Sequence, residues 1–120
     1  SGAKLDTYNG SENESVDIVT VDSLNIEDVD LLIIDVNGKE YEVLQGAATT
    51  ISPTTKVIVN WNTEKCESLS DLKTWIENQS RSKYLLHWES TDNSITKRPM
   101  PSDYSYDKLD VVIDANILIE

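Results

Sequence analysis

The stretch LLIIDVNGKEYEVLQGA, residues 31–47, decides the fold of this chain of 120 residues. It opens with the predicted strand Leu31–Val36, whose first four residues are all apolar, as is typical of a central strand in a parallel sheet. From Lys39 onward apolar residues recur every three or four positions, as on a helix face that packs against a sheet, at Tyr41, Leu44, Ala48 and Ile51. Gly38 lies where the chain must turn sharply between the predicted strand and the predicted helix, and a residue without a Cβ atom suits such a turn. The stretch therefore predicts a strand, a tight turn and a helix.

Further elements are predicted on both sides of this stretch. Residues 1–15 are polar and predict a loop, whereas Val16–Val21 alternates in the way of a short strand. Downstream, Lys56–Trp61 is rich in strand-forming residues. Ser70 can cap a helix whose apolar positions 72, 75 and 76 have helical spacing.

The last part of the sequence predicts two more strands. They lie at Lys83–Glu89 and Leu109–Ala115, and the polar segment Ser90–Lys108 between them predicts a surface loop. Strands that alternate with helices imply an α/β fold with a mostly parallel sheet, in which the last two strands form an antiparallel pair. A chain of this length is expected to fold as a single domain over residues 1–120.

Composition and charge argue against several classes of protein. The formal net charge is −12, from 22 acidic and 10 basic residues, so the surface repels phosphate backbones and nucleic acid is not expected as a ligand. The longest apolar run, Leu31–Ile34, is far shorter than the roughly 20 residues of a membrane-spanning helix, so no membrane span is expected. Cys66 is the single cysteine, which excludes an intrachain disulfide and favours a reducing compartment, the cytoplasm.

The histidine and the tryptophans are expected to pack rather than to bind ligands. His87 lies in a predicted strand, and without a second histidine it does not indicate a metal site. The tryptophans form either a stacking surface for a ligand or part of the core. Their positions in or beside predicted core elements favour packing for Trp61, Trp75 and Trp88.

Candidate functional residues follow the first strand of the opening stretch. In an open α/β sheet, ligands bind at the carboxyl ends of the strands, where the chain leaves for a helix. Asp35 and Asn37 occupy that place. Asp35 is either a functional carboxylate or a cap of the following helix. Glu40 and Glu42 fall in the first turn of that helix, where acidic side chains interact favourably with the helix dipole.

Residues 33–47 carry a resemblance to a known family, the FkbM-type methyltransferases. These have a strand ending in Lys-Ile-Asp-Val-Glu-Gly and then a helix reading roughly Ala-Glu-Leu-Glu-Val-Leu-x-Gly-Ala. This chain has IIDVNG at residues 33–38 and KEYEVLQGA at residues 39–47. A Thr-Leu-Asp-Ser-Leu-like stretch of the family is similar to Thr20–Leu24, and the strand that follows its helix is similar to Val57–Val59.

The resemblance implies an S-adenosylmethionine-dependent methyltransferase with a Rossmann-like sheet, of which this chain is the C-terminal half. It implies catalytic roles for Asp35 and Asn37. It also implies that Asp22, Glu40 and Asn60 bind the substrate, a sugar, glycan or other hydroxylated small molecule whose oxygen is positioned for methylation. Two positions depart from the family, since Asn37 replaces a glutamate and Asn60 replaces an acidic residue, and an amide cannot act as a base. The alternative is a domain that has lost catalysis and serves as a structural or interaction module in a larger assembly.

The resemblance also implies that the cofactor is held elsewhere. In such methyltransferases a Gly-rich turn after the first strand and an acidic residue after the second bind S-adenosylmethionine, and neither is found in this sequence. No cofactor-binding residue is therefore expected here, and the cofactor would bind only when an upstream polypeptide is supplied. The open apolar edge of the strand Leu31–Val36 is expected to pair with that polypeptide or to self-associate.

Overall fold

The computed structural model describes residues 4–9, 12–100 and 114–120, with side chains from residue 15 onward. Within these ranges the chain forms seven strands and two α-helices. In chain order they are β1 (Lys4–Asn9), β2 (Glu12–Asp17), β3 (Leu31–Ile34), α1 (Glu40–Gln45), β4 (Lys56–Asn62), α2 (Leu69–Glu77), β5 (Lys83–Glu89), β6 (Ser94–Met100) and β7 (Asp114–Ile119).

The strands form two sheets, of which the larger carries the candidate site. β1 and β2 form an antiparallel hairpin, and the other five strands lie in the order β3-β4-β7-β5-β6. β3 and β4 pair in parallel, with Leu31 opposite Lys56 and Ile34 opposite Val59. β7 runs antiparallel to both of its neighbours, β4 and β5, so β3, β4 and β5 all point in the same direction.

This topology confirms the mixed α/β fold and corrects the pairing. The antiparallel pairing of β5 with the last strand is confirmed, with Lys83 opposite Ile119. The expectation of a mostly parallel sheet is wrong for the described residues, because β3–β4 is the one parallel pair among them. The physical reason is the position of β7, which separates β4 from β5 although both run the same way. The predicted loop Ser90–Lys108 is also wrong in part, because β6 lies within it and pairs with β5.

Several element boundaries differ from the predicted ones. The hairpin β1–β2 lies where a loop was expected, and the strand predicted at Val16–Val21 ends at Asp17. α1 ends at Gln45 rather than near Ile51. α2 begins at Leu69, so Ser70 lies inside the helix instead of capping it. β7 begins at Asp114, and residues 109–113 of its predicted range lie outside the described residues.

The core lies between one face of the large sheet and the two helices. Because side chains alternate along a strand, β4 and β7 each turn every second residue toward the helices. The fully buried side chains of that face meet Leu44 of α1 and Leu72 and Ile76 of α2. On the sheet they are Val57, Val59, Trp61, Ile117 and Ile119. Packing is thus confirmed for Trp61 and for the partly buried Trp75, but Trp88 is 54% exposed and its expected core role is wrong.

β3 is an edge strand of the described sheet and keeps apolar side chains in solvent. Ile33 is 63% exposed and Leu31 is 46% exposed. The opposite edge is β6, whose sequence includes Lys97, Arg98 and Pro99. Charged residues and proline protect an edge against pairing with another strand, so β6 is protected and β3 is not.

Candidate functional site

Two loops meet at the carboxyl ends of the parallel strands β3 and β4. The first loop, residues 35–39, leads from β3 into α1, and the second loop, residues 63–68, leads from β4 into α2. Because both strands end at the same edge of the sheet, these loops lie side by side. They form the candidate site.

Backbone conformation at the first loop explains two of its residues. Asn37 has φ 53° and Gly38 has φ 110°, so the chain takes two consecutive positive φ values. Asparagine tolerates the left-handed conformation better than most residues, and glycine adopts φ near 110° without steric penalty. Asn37, which stands where the family has a glutamate, therefore has a structural reason to be an amide.

The second loop covers the first at Gly38. A Cβ atom at this position would lie 2.2 Å from the carbonyl oxygen of Lys65, so that oxygen occupies the space a side chain would need. The N–H of Glu67 donates to the carbonyl oxygen of Gly38 at 3.1 Å. The two loops are thus joined through backbone contacts.

Glu40 holds the first loop through hydrogen bonds made in the interior of the protein. Its side chain is fully buried. Its Oε2 accepts a hydrogen bond from the N–H of Val36 at 2.7 Å, and its Oε1 accepts one from the N–H of Gly38 at 3.0 Å. In this arrangement the carboxylate meets the loop backbone and not the solvent, so it does not reach a substrate directly.

Asn62 holds the backbone of the second loop through side-chain hydrogen bonds, as Glu40 does for the first loop. This role of Asn62 was not predicted from the sequence. This residue is buried, and its Oδ1 accepts hydrogen bonds from the N–H groups of Glu64 and Lys65, both at 3.0 Å. The N–H of Cys66 donates to the Asn62 carbonyl at 3.0 Å. An asparagine at the end of a strand, followed by polar residues, is a signal for such a turn.

Side-chain contacts between the loops add to the backbone contacts. Lys39 forms an ion pair with Glu67, and this pairing raises the pKa of the lysine ammonium. The Ser68 hydroxyl donates to Oε1 of Glu42 at 2.7 Å. Both members of the ion pair are exposed, so the pair adds little to stability. Burial raises the pKa of the Cys66 thiol in the second loop, which makes it a poor nucleophile at neutral pH.

Three of the predicted site residues lie at the carboxyl ends of β3 and β4. Asp35 and Asn37 are exposed on the first loop. Asn60 follows Val59, the partner of Ile34, so Asn60 and Asp35 directly follow the last paired position of the two strands. The Asn60 amide group donates to Oδ1 of Asp114 at 2.9 Å. Asp35 thus offers a carboxylate that accepts hydrogen bonds and Asn37 an amide that both donates and accepts, whereas the Asn60 amide is engaged by β7.

Asp22 lies near the amino ends of β3 and β4, far from the two loops. This position corrects the expectation that Asp22 lines one site with Asp35 and Asn37. Its carboxylate accepts hydrogen bonds from the N–H of Thr49 and from the N–H and hydroxyl of Thr50, and these bonds lower the pKa of Asp22. The chain enters β4 only a few residues after Thr50. Because α1 runs back along the sheet from the first loop, its far end and Asp22 lie at the amino ends of the strands.

A polar cavity of about 510 Å³ opens at the amino ends of β3 and β4. Its lining includes Asp22, Glu27, Asp28, Asp30 and Thr54. Among the residues that the structure describes, no group of three or more histidine, cysteine or acidic side chains is placed to hold a metal ion.

Together, the fold and the paired loops define a class of protein. It is an α/β domain whose candidate site lies where parallel strands lead into helices. The chain belongs to the methyltransferase FkbM domain family, whose model matches residues 2–86. This match confirms the family resemblance seen in the sequence. Neither the curated proteins nor the solved structures gave a match.

The turn at Gly38 does not fit S-adenosylmethionine, the cofactor that a methyltransferase family implies. Such a cofactor lies against a glycine-rich turn between a strand and a helix, where the missing Cβ lets the ligand approach the backbone. At Gly38 the Lys65 carbonyl fills that space. Within the described part of the chain, this turn has no room for a cofactor. Separately from the cofactor, no helix in the described part of the chain is long and apolar enough to cross a membrane.

Proposed function

We propose that this chain supplies the acceptor side of an S-adenosylmethionine-dependent methyltransferase that methylates an oxygen of a sugar, glycan or other hydroxylated small molecule. The observation that carries the proposal is the presentation of Asp35 and Asn37 in solvent, on a loop fixed from both sides, at the carboxyl end of β3. A fixed carboxylate and amide suit the orientation of a hydroxyl group, a task of positioning more than of covalent chemistry.

The roles of the two side chains follow from their chemistry. The Asp35 carboxylate accepts a hydrogen bond from the acceptor hydroxyl and is the group of the first loop that can take up its proton. The Asn37 amide donates to a neighbouring oxygen of the acceptor. Asn60 holds β7 beside β4 and so shapes the floor of the site, because its amide donates to Asp114.

The methyl donor in this proposal is held by another polypeptide segment. The chain then forms the C-terminal part of a Rossmann-like methyltransferase domain, and the open edge of β3 takes the strand that precedes it in the sheet. Exposed Leu31 and Ile33, and the absence of charge or proline within β3, support this pairing. An upstream polypeptide or a second copy of the chain can fill the edge. Sedimentation of the 120-residue chain tests this, since a stable monomer in dilute solution contradicts it.

The reaction is tested with radiolabelled S-adenosylmethionine and a panel of monosaccharides, disaccharides and small alcohols. The protein used is the longer polypeptide that carries this chain. Methyl transfer to at least one acceptor is expected, and Asp35→Asn is expected to slow it by about a hundredfold or more. Glu77→Gln, an exposed carboxylate at the end of α2, is the matched control. Absence of both transfer and calorimetric binding of S-adenosylmethionine refutes the proposal.

A second candidate is a domain that no longer catalyses methyl transfer and serves as a structural module. The observation in its favour is that both amides that replace acidic residues have structural partners or constraints. Asn37 sits at positive φ, and Asn60 is held by Asp114. Binding of S-adenosylmethionine without transfer to any acceptor, unchanged by Asn37→Glu, would support this candidate.

A further inference from the structure

We propose that Glu40 is a positioning residue of the candidate site, and that its buried carboxylate sets the orientation in which Asp35 and Asn37 meet the acceptor. The identity of the acceptor rests on the proposed function, whereas the action of Glu40 on the loop does not. The proposal assigns to Glu40 a role different from direct substrate binding, because the side chain is fully buried.

The hydrogen-bond donors show which part of the chain Glu40 controls. The donors are the N–H groups of Val36 and Gly38, and both residues precede α1. A capping side chain would bind the free N–H groups of the first helical turn. Glu40 instead reaches back along the loop and joins Val36 and Gly38 to the start of the helix. Asn37 lies between the two donors and is held at φ 53°.

A charged group is needed because the loop presents two donors at once. Oε2 of Glu40 accepts from the N–H of Val36 at 2.7 Å, and the N–H of Gly38 donates to Oε1 at 3.0 Å and more weakly to Oε2 at 3.4 Å. A glutamine has one oxygen and an NH₂ group, so its oxygen could keep the Val36 bond and the 3.4 Å contact to Gly38, but its NH₂ group would face the Gly38 N–H in place of Oε1. Burial of a carboxylate is costly unless charge-assisted hydrogen bonds offset it, and these two bonds supply that offset.

The second loop also holds the first loop in place, through backbone contacts to Gly38. The Lys65 carbonyl lies over Gly38, and the Glu67 N–H binds the Gly38 carbonyl. Gly38 is therefore held through its N–H by Glu40 and through its carbonyl by the second loop. With Gly38 fixed at both peptide groups, the exposed polar side chains just before it, Asp35 and Asn37, are held in a defined position to meet a ligand.

Nuclear magnetic resonance tests the loop contact without reference to activity. In the wild-type chain, scalar couplings across the hydrogen bonds are expected between Cδ of Glu40 and the amide nitrogens of Val36 and Gly38. In Glu40→Gln, hydrogen exchange of these two amides is expected to accelerate about tenfold or more, the factor for one charge-assisted hydrogen bond. Core amides such as that of Val59 should keep their rates. Glu77→Gln, an exposed carboxylate at the end of α2 and outside both loops, is the control and should change neither loop amide.

Two results would overturn the proposal: no coupling in the wild-type chain, or loop amides in Glu40→Gln that accelerate no more than the core amides. The coupling experiment needs no variant, so the proposal remains decidable if Glu40→Gln does not fold. A kinetic readout follows in the longer polypeptide, where Glu40→Gln should lower kcat for methyl transfer and leave the KM for S-adenosylmethionine unchanged. Failure of the wild-type protein to transfer methyl groups would refute the proposed reaction, while the couplings and exchange rates would still decide the role of Glu40.

Discussion

Replacement of Gly38 by alanine should destabilise the protein more than any other single methyl added at a described glycine. Two separate effects contribute. A non-glycine residue at φ 110° is strained, at a cost of about 1–2 kcal/mol. The added Cβ would also lie 2.2 Å from the Lys65 carbonyl oxygen, so the second loop must move, at a cost of about 1–3 kcal/mol.

Together these effects predict a loss of about 3 kcal/mol in the free energy of unfolding, a large share of the roughly 5–15 kcal/mol typical of a domain. Urea denaturation followed by tryptophan fluorescence measures it, because Trp61 is fully buried and reports on the core. The midpoint should fall by about 1–2 M urea, and the melting temperature by about 10 °C.

Gly46→Ala is the matched control, because it adds the same methyl group at the end of α1. Gly46 has φ −76°, which suits alanine, and its added Cβ would meet the exposed Thr20 side chain at 3.1 Å. The change in stability should stay within about 1 kcal/mol. If Gly38→Ala costs no more than Gly46→Ala, the covering of the first loop by the Lys65 carbonyl is not a tight contact and the description of the site is wrong.

Three further predictions concern other parts of the molecule. Hydrogen bonds from Thr49 and Thr50 lower the pKa of Asp22, so its carboxylate stabilises the folded state fully above its ordinary value of 3.8 and progressively less as the pH falls through the folded-state value. Asp22→Asn should therefore lower the melting temperature at neutral pH and lose this effect in acid; an equal difference at both pH values contradicts it. Asn62→Ala should cost about 1–3 kcal/mol in urea denaturation, whereas Asn62→Asp, which keeps the acceptor oxygen, should cost clearly less. Ile33→Lys should reduce association of the chain in sedimentation, and Ile95→Lys on the protected β6 edge should not; equal effects would place the association elsewhere.

Elements with a strong local pattern could be predicted from the sequence. β3, β4 and β5 were found within a residue or two of their predicted ranges, because runs of β-branched and other apolar residues favour a strand through local preference. Their order in the sheet could not be predicted in this way. The insertion of β7 between β4 and β5 depends on contacts such as Val57 with Ile119, which lie far apart in the sequence.

The helix face and the site show where local patterns mislead. The predicted apolar face of α1 included Tyr41 and Ala48, but the buried positions are Glu40, Leu44 and Ala47. Glu40, at the start of this stripe, was predicted to interact with the helix dipole or to bind substrate, and its burial could not be predicted because a buried carboxylate becomes favourable only through partners that the sequence does not reveal. The position of Asp35 and Asn37 on the loop after β3 could be predicted because a strand that leads into a helix ends in such a loop, whereas the separation of Asp22 follows from where α1 ends.

The central position of β7 also sets the order in which the sheet can be assembled. β4 and β5 share no direct strand pairing, and each pairs with β7. On a ribosome, the segment that carries β3, β4 and their helices therefore emerges well before the strand that joins it to the β5–β6 hairpin. Until residue 119 has been synthesised, the large sheet consists of two separate strand pairs, and the edges of β4 and β5 that later pair with β7 are open. Such late, long-range closure is slow and exposes the chain to aggregation, so this stage is where a chaperone would be needed most.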